Sequence, residues 1–225
     1  MTAMPMKTWW RDAAEEDGMQ EDHAYLWRHF IAAVPEQDFS SQTVLDYGCN
    51  QGGFLRELFR CRPFKQACGV DIALSSLNNA RRESAGLPVT FMTPEALKQN
   101  QQRYDTAFSH EVLYLLPSLA AHAADMAQWL APGGTYYAAI GCHTGNPLWG
   151  TWRELITRTT NLPVHDYALD DYAQAFWRAG FRVEMRLFQL HDFILIKPEN
   201  LFFPTAQDSL NYHATVKTII KISKE

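Results

Sequence analysis

The sequence has no apolar run that approaches the roughly 20 residues of a membrane-spanning helix. Its first 18 residues, MTAMPMKTWWRDAAEEDG, also lack the apolar stretch of a secretory signal. These two absences argue against a membrane protein and an exported protein. We therefore expect a cytoplasmic protein with no membrane partner.

Cysteine is scarce and forms no recognisable pattern. The four cysteines, Cys49, Cys61, Cys68 and Cys142, make no CxxC pair and no metal-ligand spacing with histidine. Without an export signal they are expected to be reduced thiols, most of them buried. The sequence predicts no metal site.

Clustered positive charge is also missing. The chain carries 20 Lys and Arg against 25 Asp and Glu, a net charge of −5, and its one basic stretch is VKTIIKISK at 216–224. Broad surfaces for nucleic acid depend on clustered Lys and Arg. We therefore expect no nucleic-acid partner, and we interpret the basic stretch as a solvated face.

What the sequence does contain is a globular composition with alternating strand and helix patterns. Hydrophobic residues make up 47% of the 225 residues, enough for one large domain. Strand patterns occur at 43–47, 68–72, 89–92, 105–109 and 134–141. Several are apolar on both faces, which favours a doubly wound, mostly parallel α/β sheet of seven strands with helices on both faces.

The last strand patterns differ in their connection. FRVEMRLFQL (181–190) runs almost directly into HDFILIKPE (191–199), which leaves too few residues for a crossover helix. The two segments are therefore predicted to pair as a terminal antiparallel hairpin.

The predicted organisation is a single domain. It consists of a helical cap at 1–42, a core at 43–199 with a lid insertion at about 142–168, and a C-terminal tail at 200–225 that has no predicted place.

The stretch TVLDYGCNQGG (43–53) carries the strongest chemical signal. An apolar strand ends on Asp46 and continues into a turn with Gly48, Asn50 and Gly52. Such a turn lets backbone N–H groups approach a ligand at the carboxyl end of a parallel strand, where ligands bind in open α/β sheets. Asn50 stands where a glycine is usual, and Asn tolerates positive φ better than other side chains.

A second acid occupies the end of the next predicted strand. Asp71 follows Gly52 by nineteen positions, close to the spacing of a carboxylate that binds ribose hydroxyls. The residues alone leave two ligands open, a dinucleotide or another adenosine-containing molecule. They also leave open that Asp71 is a helix cap.

The chain resembles the class I S-adenosylmethionine-dependent methyltransferases over roughly residues 43–199. VLDYGCNQG (44–52) is similar to the first motif of that family, (V/L)LDxGCGxG, with Asn50 as the departure. GVDIA (69–73) resembles the second motif, YDTAFSHEVLYLL (104–116) the fourth-strand motif, and LAPGGTYYAAI (130–140) the motif LKPGGxLxxxx.

The resemblance implies S-adenosyl-L-methionine as cofactor and S-adenosyl-L-homocysteine as product. It implies that Gly48, Asn50 and Gly52 pass beneath the cofactor, that Asp46 contacts its amino group and that Asp71 accepts from its ribose.

Further contacts are implied beyond these two motifs. Ile72 would pack on the adenine, and Ser109 with His110 would line the reactive end of the cofactor. The adenine contact that is often an Asp in the family falls on Thr93, with Glu95 nearby.

A catalytic base is needed only if the methyl acceptor must lose a proton. His110 is the first candidate by its position, and His143 is a weaker one on the insertion; His165, Glu111 and Tyr114 are further possibilities. A structural role is the alternative for each histidine.

The acceptor is expected to be a small molecule. The (N/D)PP(Y/F/W) motif of methyltransferases acting on amino groups of nucleic acid bases or protein glutamine is replaced by SHEV at 109–112. Trp149 and Trp152, with Trp9 or Trp10, either wall a substrate pocket or pack the lid onto the core. The acceptor atom and the oligomeric state stay open.

Two other functions compete with this interpretation. The first is a catalytically silent methyltransferase-like protein that serves as a binding or partner subunit, which Asn50 and the missing adenine-site Asp favour. The second is a nicotinamide-dependent oxidoreductase, which the Asp before the glycines and the terminal hairpin disfavour.

Overall fold

The fold is described from a computed structural model that covers residues 13–160, 162–190, 192–198 and 200–225. Trp9 and Trp10 lie outside this part of the chain. Among the residues that the structure describes, no helix has both the length and the apolar character needed to cross a membrane.

Helices and strands alternate through most of the chain. The α-helices are α1 (Ala13–Ala33), α2 (Gly53–Cys61), α3 (Leu74–Glu83), α4 (Pro94–Lys98), α5 (Leu119–Trp129), α6 (Trp149–Thr160), α7 (Leu169–Arg178) and α8 (Ala206–Asn211). The strands are β1 (Phe39–Tyr47), β2 (Phe64–Val70), β3 (Val89–Met92), β4 (Tyr104–His110), β5 (Leu130–Ile140), β6 (Phe181–Leu187) and β7 (Thr218–Lys224). A 3₁₀ turn follows β4 at Leu113–Leu115, and a π-helical turn at Tyr212–Val216 precedes β7.

The seven strands form one sheet in the order β3-β2-β1-β4-β5-β7-β6. Neighbouring strands from β3 to β5 pair in parallel, and β7 pairs antiparallel with both β5 and β6. This architecture confirms the predicted fold class, an α/β sheet of seven mostly parallel strands with an antiparallel C-terminal pair.

The predicted partner of β6 is wrong. β6 pairs with β7, and residues 192–198 of the segment HDFILIKPE form no strand. The strand between β5 and β6 needs apolar side chains on both faces, and Ile219, Ile220 and Ile222 of β7 are buried there. The sheet therefore extends beyond the predicted core at 43–199 into the tail, and VKTIIKISK is largely an inner strand and not a solvated face.

The first strand also begins earlier than predicted. The sequence predicts it at 43–47, but β1 starts at Phe39, within the N-terminal segment 1–42 that is predicted to be helical. Phe39 is fully buried and pairs with Phe64 of β2. The helix of the cap, α1, packs against α2 through Phe30, whose ring lies 5.8 Å from that of Phe54.

Two apolar layers cover the sheet. On one face, Phe108 lies under Phe30 and Phe54, with ring centroids 5.8 and 5.0 Å away. On the other face, Tyr136 packs against His122 of α5 and Phe176 of α7. Side chains of successive strand residues alternate between these layers.

The connection from β6 to β7 crosses the carboxyl edge of the parallel strands. Thr218, the first residue of β7, pairs with Ile140 and Leu187, the last residues of β5 and β6. Residues 188–217 therefore begin and end at the edge where ligands bind in open α/β sheets.

Candidate functional site

The turn after β1 has the backbone that its small residues predict. Gly48, Asn50 and Gly52 have φ values of 85°, 48° and 73°, all in the left-handed region. Glycine adopts this region without steric cost, and Asn is among the side chains that enter it most readily. Asn50 therefore keeps the geometry of the turn although it replaces a glycine.

The protein itself occupies the space where β-carbons of this turn would lie. A Cβ on Gly48 would come within 2.3 Å of Cγ2 of Val112, and one on Gly52 within 2.8 Å of the Phe91 ring. Contacts within the protein therefore explain why both positions are glycine, without any ligand. Evidence for a ligand has to come from the polar groups around the turn.

Asp71 follows β2 and faces this turn. Its Oδ2 accepts a hydrogen bond from the backbone N–H of Asn50 at 2.9 Å, and its Oδ1 accepts one from that of Ala73 at 2.9 Å. A carboxylate oxygen can accept more than one hydrogen bond, so a ribose diol could still bind. Asp71 does not cap α3, because its bond is to the N-cap residue Ala73 and not to an N–H of the helix, and the ribose role stays a prediction.

Asp46 is a buried acid whose charged form is disfavoured by its surroundings. Its Oδ2 has no hydrogen-bond partner among the described residues, and the residue is 4% exposed. Burial, and then the nearby charge of Asp71, raise the pKa of Asp46 to about 8. A cationic group placed beside Asp46 would relieve this cost, as a cofactor ammonium would.

Asn50 adds two more unsatisfied groups. Both polar atoms of its side chain are buried and lack a partner in the described part of the chain. A buried polar group without a hydrogen bond costs about 1–3 kcal/mol. Asp46 and Asn50 together therefore fit a ligand that carries several hydrogen-bonding groups.

An apolar surface lies next to these polar groups. Ile72, which directly follows Asp71, is 46% exposed, and Leu74, two residues further along, is 63% exposed. The arrangement offers a carboxylate and, beside it, an exposed aliphatic side chain. A nucleoside has the matching chemistry, a diol joined to a flat apolar ring.

Two predicted cofactor residues have other partners in the structure. The Oγ1 of Thr93 accepts from the N–H of Ala96 at 3.4 Å and caps α4. The hydroxyl of Ser109 shares a 2.7 Å hydrogen bond with that of Tyr136, on the face covered by α5 and α7. Both hydroxyls are therefore already bonded within the protein.

His110 lies at the end of β4, next to the end of β1. Its ring packs 5.5 Å from His23 and 6.3 Å from Phe30, both on α1, and its Nε2 is buried without a partner among the described residues. Burial, and then the charges of Lys217 and His23, lower the pKa of His110 well below its usual value. The side chain is therefore a neutral imidazole.

A buried ion pair stands beside His110. Oε1 of Glu111 accepts from Nζ of Lys217 at 2.8 Å and from the hydroxyl of Tyr212 at 3.2 Å, and Oε2 accepts from the N–H of Gly141 at 3.1 Å. Burial alone would raise the pKa of Glu111, but Lys217 and the other donors bring it below its usual value. Glu111 thereby links β4, β5 and the tail.

Lys217 is the residue of this site that the sequence analysis missed. It is 3% exposed, and its ammonium lies over the rings of Phe188 and Tyr212 at 5.8 and 5.7 Å. A signal was present, because Ile219, Ile220 and Ile222 are typical of a buried strand, and Lys217 lies two positions before the first of them.

The lid insertion packs against the tail. Nε2 of His143 donates to the carbonyl of Val216 at 3.2 Å, and burial lowers the pKa of His143. Trp149 and Trp152 are buried, and the Nε1 of Trp152 donates to the carbonyl of Phe202 at 2.6 Å. Of the two alternatives for these tryptophans, the structure therefore supports packing of the lid.

Metal ligands do not cluster in this region. In the described ranges, no group of three or more His, Cys, Asp or Glu side chains is arranged to hold a metal ion.

Comparison with protein families identifies the class to which this fold and site belong. A family model described as a methyltransferase domain matches residues 19–185, well over half of the chain. The chain belongs to this family, the class I S-adenosylmethionine-dependent methyltransferases with a Rossmann-like fold.

Solved structures share the fold at low sequence identity. A methyltransferase in a complex with the Haloferax volcanii Trm112 methyltransferase activator is 23% identical, with a TM-score of 0.78 and 94% of each chain covered. An S-adenosylmethionine-dependent methyltransferase from Mesorhizobium loti is 17% identical, with a TM-score of 0.68, and the match covers 91% of this chain and 100% of the other.

A third similar structure contains ligands. It is the geranyl diphosphate C-methyltransferase from Streptomyces coelicolor A3(2), in complex with Mg²⁺, geranyl diphosphate and S-adenosyl-L-homocysteine. It is 13% identical, with a TM-score of 0.66, and the match covers 94% of this chain and 81% of the other. No curated protein matches the sequence.

Proposed function

We propose that this protein is a cytoplasmic enzyme that transfers the methyl group of S-adenosyl-L-methionine to a small-molecule acceptor and releases S-adenosyl-L-homocysteine. The observation that carries the proposal is the unpaired, buried carboxylate oxygen of Asp46 next to a turn that Asp71 faces. Similar structures that contain S-adenosylhomocysteine or S-adenosylmethionine support the choice of cofactor.

Each part of the cofactor has a chemically matching residue. The carboxylate of Asp46 would pair with the amino group, and the side chain of Asn50 would bond polar atoms near the turn. Asp71 would accept from the ribose hydroxyls, and Ile72 would pack against the adenine. Thr93 and Ser109 stay proposed cofactor neighbours through their backbone, because their hydroxyls are already bonded.

The bound cofactor would supply a methyl group on a sulfonium, which is a good leaving group. The protein then has to align the acceptor in line with the methyl group and exclude water. Such positioning can supply roughly 7–11 kcal/mol of the barrier. The buried aromatic side chains of Phe30 and Phe108 next to His110 are suited to the exclusion of water.

His110 is the residue best placed to accept a hydrogen bond from the methyl acceptor. Its imidazole is neutral, and its buried Nε2 has no hydrogen-bond partner in the described part of the chain. A neutral imidazole can accept a hydrogen bond from a hydroxyl or an amine and hold it in line. His143 also has a buried ring nitrogen without a partner in the described part of the chain, Nδ1, but its Nε2 bonds the tail at Val216.

Two observations favour a small-molecule acceptor over a nucleic acid or a protein amide. The net charge of −5 and the single basic stretch, most of which lies in β7, leave little positive surface for a phosphate backbone. The end of β4 reads SHEV (109–112) in place of a motif with two prolines.

A radiochemical assay tests the proposed transfer. The protein is incubated with S-adenosylmethionine labelled in its methyl group and, separately, with small metabolites, RNA and protein from one cell extract. We expect label in the small-molecule fraction, and we expect the Asp71→Asn variant to lose it. Label only in RNA or protein would contradict the proposed acceptor class.

The assay also distinguishes the competing functions. Binding of the cofactor by calorimetry without transfer to any fraction would indicate a catalytically silent binding subunit. Tight binding of NADH, measured by fluorescence, with no binding of S-adenosylmethionine would indicate a nicotinamide-dependent enzyme instead.

A further inference from the structure

A groove of about 560 Å³ lies between α1 and the segment that connects β6 to β7. Its volume falls within the range of about 300–1,000 Å³ that is usual for small-molecule sites. The walls are largely apolar and include Leu26, Leu190, Ile194, Leu195 and Phe203.

The outer wall of the groove is a segment with unusually exposed apolar residues. Phe193 is fully exposed and Leu195 is 77% exposed, although FILI at 193–196 reads as a strand. The segment is held to α1 by two hydrogen bonds, from the hydroxyl of Tyr25 to the carbonyl of Phe193 and between His29 and Asp192. The side chains of 193–196 are therefore not buried in the sheet, and they line the groove instead.

The lining of the groove includes an unsatisfied polar group. His213 lines the groove, is 8% exposed, and its Nδ1 has no hydrogen-bond partner within the described ranges. Two other polar side chains of the lining are already bonded: Asn200 accepts from the N–H groups of Phe202 and Phe203, and Thr205 bonds Asp208.

The imidazole of His213 is uncharged. Burial, and then the charge of Lys217, lower the pKa of His213 to about 4, while Glu111 acts in the opposite direction. An uncharged imidazole among apolar side chains matches a ligand with a hydroxyl or a similar neutral group, because burying a charged group beside it would cost more than burying a neutral one. Lys197, a charged side chain of the lining, is exposed to solvent.

The same two parts of the chain, α1 and the tail, border both the groove and the surroundings of His110. α1 contacts His110 through His23 and Phe30 and lines the groove through Tyr25 and Leu26. The tail provides His213 to the groove and, one turn later, Lys217, which pairs with Glu111 next to His110. Both sites therefore adjoin the carboxyl edge of the sheet.

We propose that this groove binds the methyl acceptor, an apolar small molecule with one uncharged polar group that bonds to His213. The inference rests on the proposed methyltransferase function and adds the substrate class. The proposed acceptor site is a groove that Trp149 and Trp152 do not line.

Fluorescence titration with 2-naphthol tests the groove, because this probe joins an apolar ring system to one hydroxyl. We expect saturable binding at one site per chain. Leu195→Asp, which places a charge in the wall, should weaken binding by about tenfold or more. Leu210→Asp is the matched control, since Leu210 is 48% exposed but does not line the groove, and it should leave binding unchanged.

A second pair of measurements tests the role of His213. His213→Phe should weaken binding of 2-naphthol by about three- to tenfold and leave binding of 2-methylnaphthalene unchanged, because only the hydroxyl can bond to the imidazole. Equal losses for both probes would show that His213 only shapes the wall, which would overturn the hydrogen-bond assignment.

The link to methyl transfer is tested with S-adenosylhomocysteine. The groove should bind 2-naphthol equally well or better in protein saturated with S-adenosylhomocysteine, because donor and acceptor must bind together. Competition between the two would overturn the proposal. If S-adenosylhomocysteine does not bind at all, the proposed function fails, whereas cofactor binding without binding of 2-naphthol refutes the groove alone.

Sedimentation velocity tests whether the chain forms a dimer through this groove. The exposed wall could instead be covered by a second copy of the chain. In that case Leu195→Asp would convert a dimer into a monomer, and 2-naphthol would bind equally to the Leu195→Asp and Leu210→Asp variants. That combination would overturn the proposed small-molecule site.

Discussion

The backbone N–H of Asn50 donates a hydrogen bond of 2.9 Å to Oδ2 of Asp71. This bond joins the turn after β1 to the end of β2 and fixes the carboxylate against the turn. A group that is held in place before the ligand arrives loses less freedom on binding. Asp71 is therefore a pre-organised acceptor, and its second oxygen is held by the N–H of Ala73, the residue before α3.

Asp71→Asn should weaken binding of S-adenosylhomocysteine by roughly 10- to 100-fold, because a hydrogen bond to a charged group contributes about 1.5–3 kcal/mol. Isothermal titration calorimetry measures the change. Asp170→Asn, in the first turn of α7, is the control and should bind as the natural protein does. An unchanged Kd for Asp71→Asn would remove Asp71 from the site.

Gly48→Ala should destabilise the protein more than Gly133→Ala. Both glycines have a positive φ, 85° and 74°, which costs an alanine about 1–2 kcal/mol. Only Gly48 has a neighbour in the way, Cγ2 of Val112 at 2.3 Å, whereas nothing lies within 4 Å of a Cβ on Gly133. Urea denaturation measures the free energy of unfolding, and equal losses for the two variants would refute the crowding at Gly48.

The raised pKa of Asp46 predicts that the protein becomes less stable as the pH rises. Burial holds the folded pKa at about 8, while the unfolded value is 3.8. Between these values the folded state keeps a proton that the unfolded state releases, so the free energy of unfolding falls by up to about 1.4 kcal/mol per pH unit. The loss is complete above the folded pKa and absent below the unfolded one.

Asp46→Asn isolates this contribution. The difference in unfolding free energy between the variant and the natural protein should grow in favour of the variant from pH 4 to pH 8, because Asn carries no proton to lose. The measurement is urea denaturation at several pH values without ligand. A difference that stays constant over this range would contradict an unpaired Asp46 carboxyl.

Removal of one partner of the Glu111–Lys217 pair should cost about 3–5 kcal/mol, because the other charge stays buried without a partner. Lys217→Met and Glu111→Gln together should cost clearly less than the sum of the two single changes. Lys221→Met is the control: its pair with Glu184 is exposed and contributes at most about 1 kcal/mol. Additive losses at Glu111 and Lys217 would contradict a coupled pair.

The turn after β1 could be predicted because its information is local. An apolar strand, Asp46 and three residues suited to positive φ follow one another within nine positions. The same holds for Asp71, which stands at the end of an apolar strand at a fixed spacing. The φ values of such a turn are determined by the residue types within the turn, and not by distant parts of the chain.

The place of β7 could not be read in the same way, because strand pairing depends on distant segments. FILI at 193–196 has the stronger local strand pattern, but the structure leaves Phe193 exposed and puts Ile219, Ile220 and Ile222 between β5 and β6. Thirty residues separate β6 from β7, and no local signal identifies which later segment returns.

The side-chain partners in the site were also beyond prediction from sequence. Ser109 is directed toward Tyr136 because side chains alternate along β4, and its hydroxyl is bonded before any ligand arrives. Lys217 stands in a basic stretch, and only the fold places it against Glu111.

A crystal structure of the protein grown with S-adenosylhomocysteine tests the central claim most directly. We expect the ribose hydroxyls within hydrogen-bond distance of the Asp71 carboxylate, the amino group against Asp46 and the adenine on Ile72. A ligand bound elsewhere, or a turn after β1 that the protein's own side chains fill in crystals grown at saturating ligand, would contradict the account.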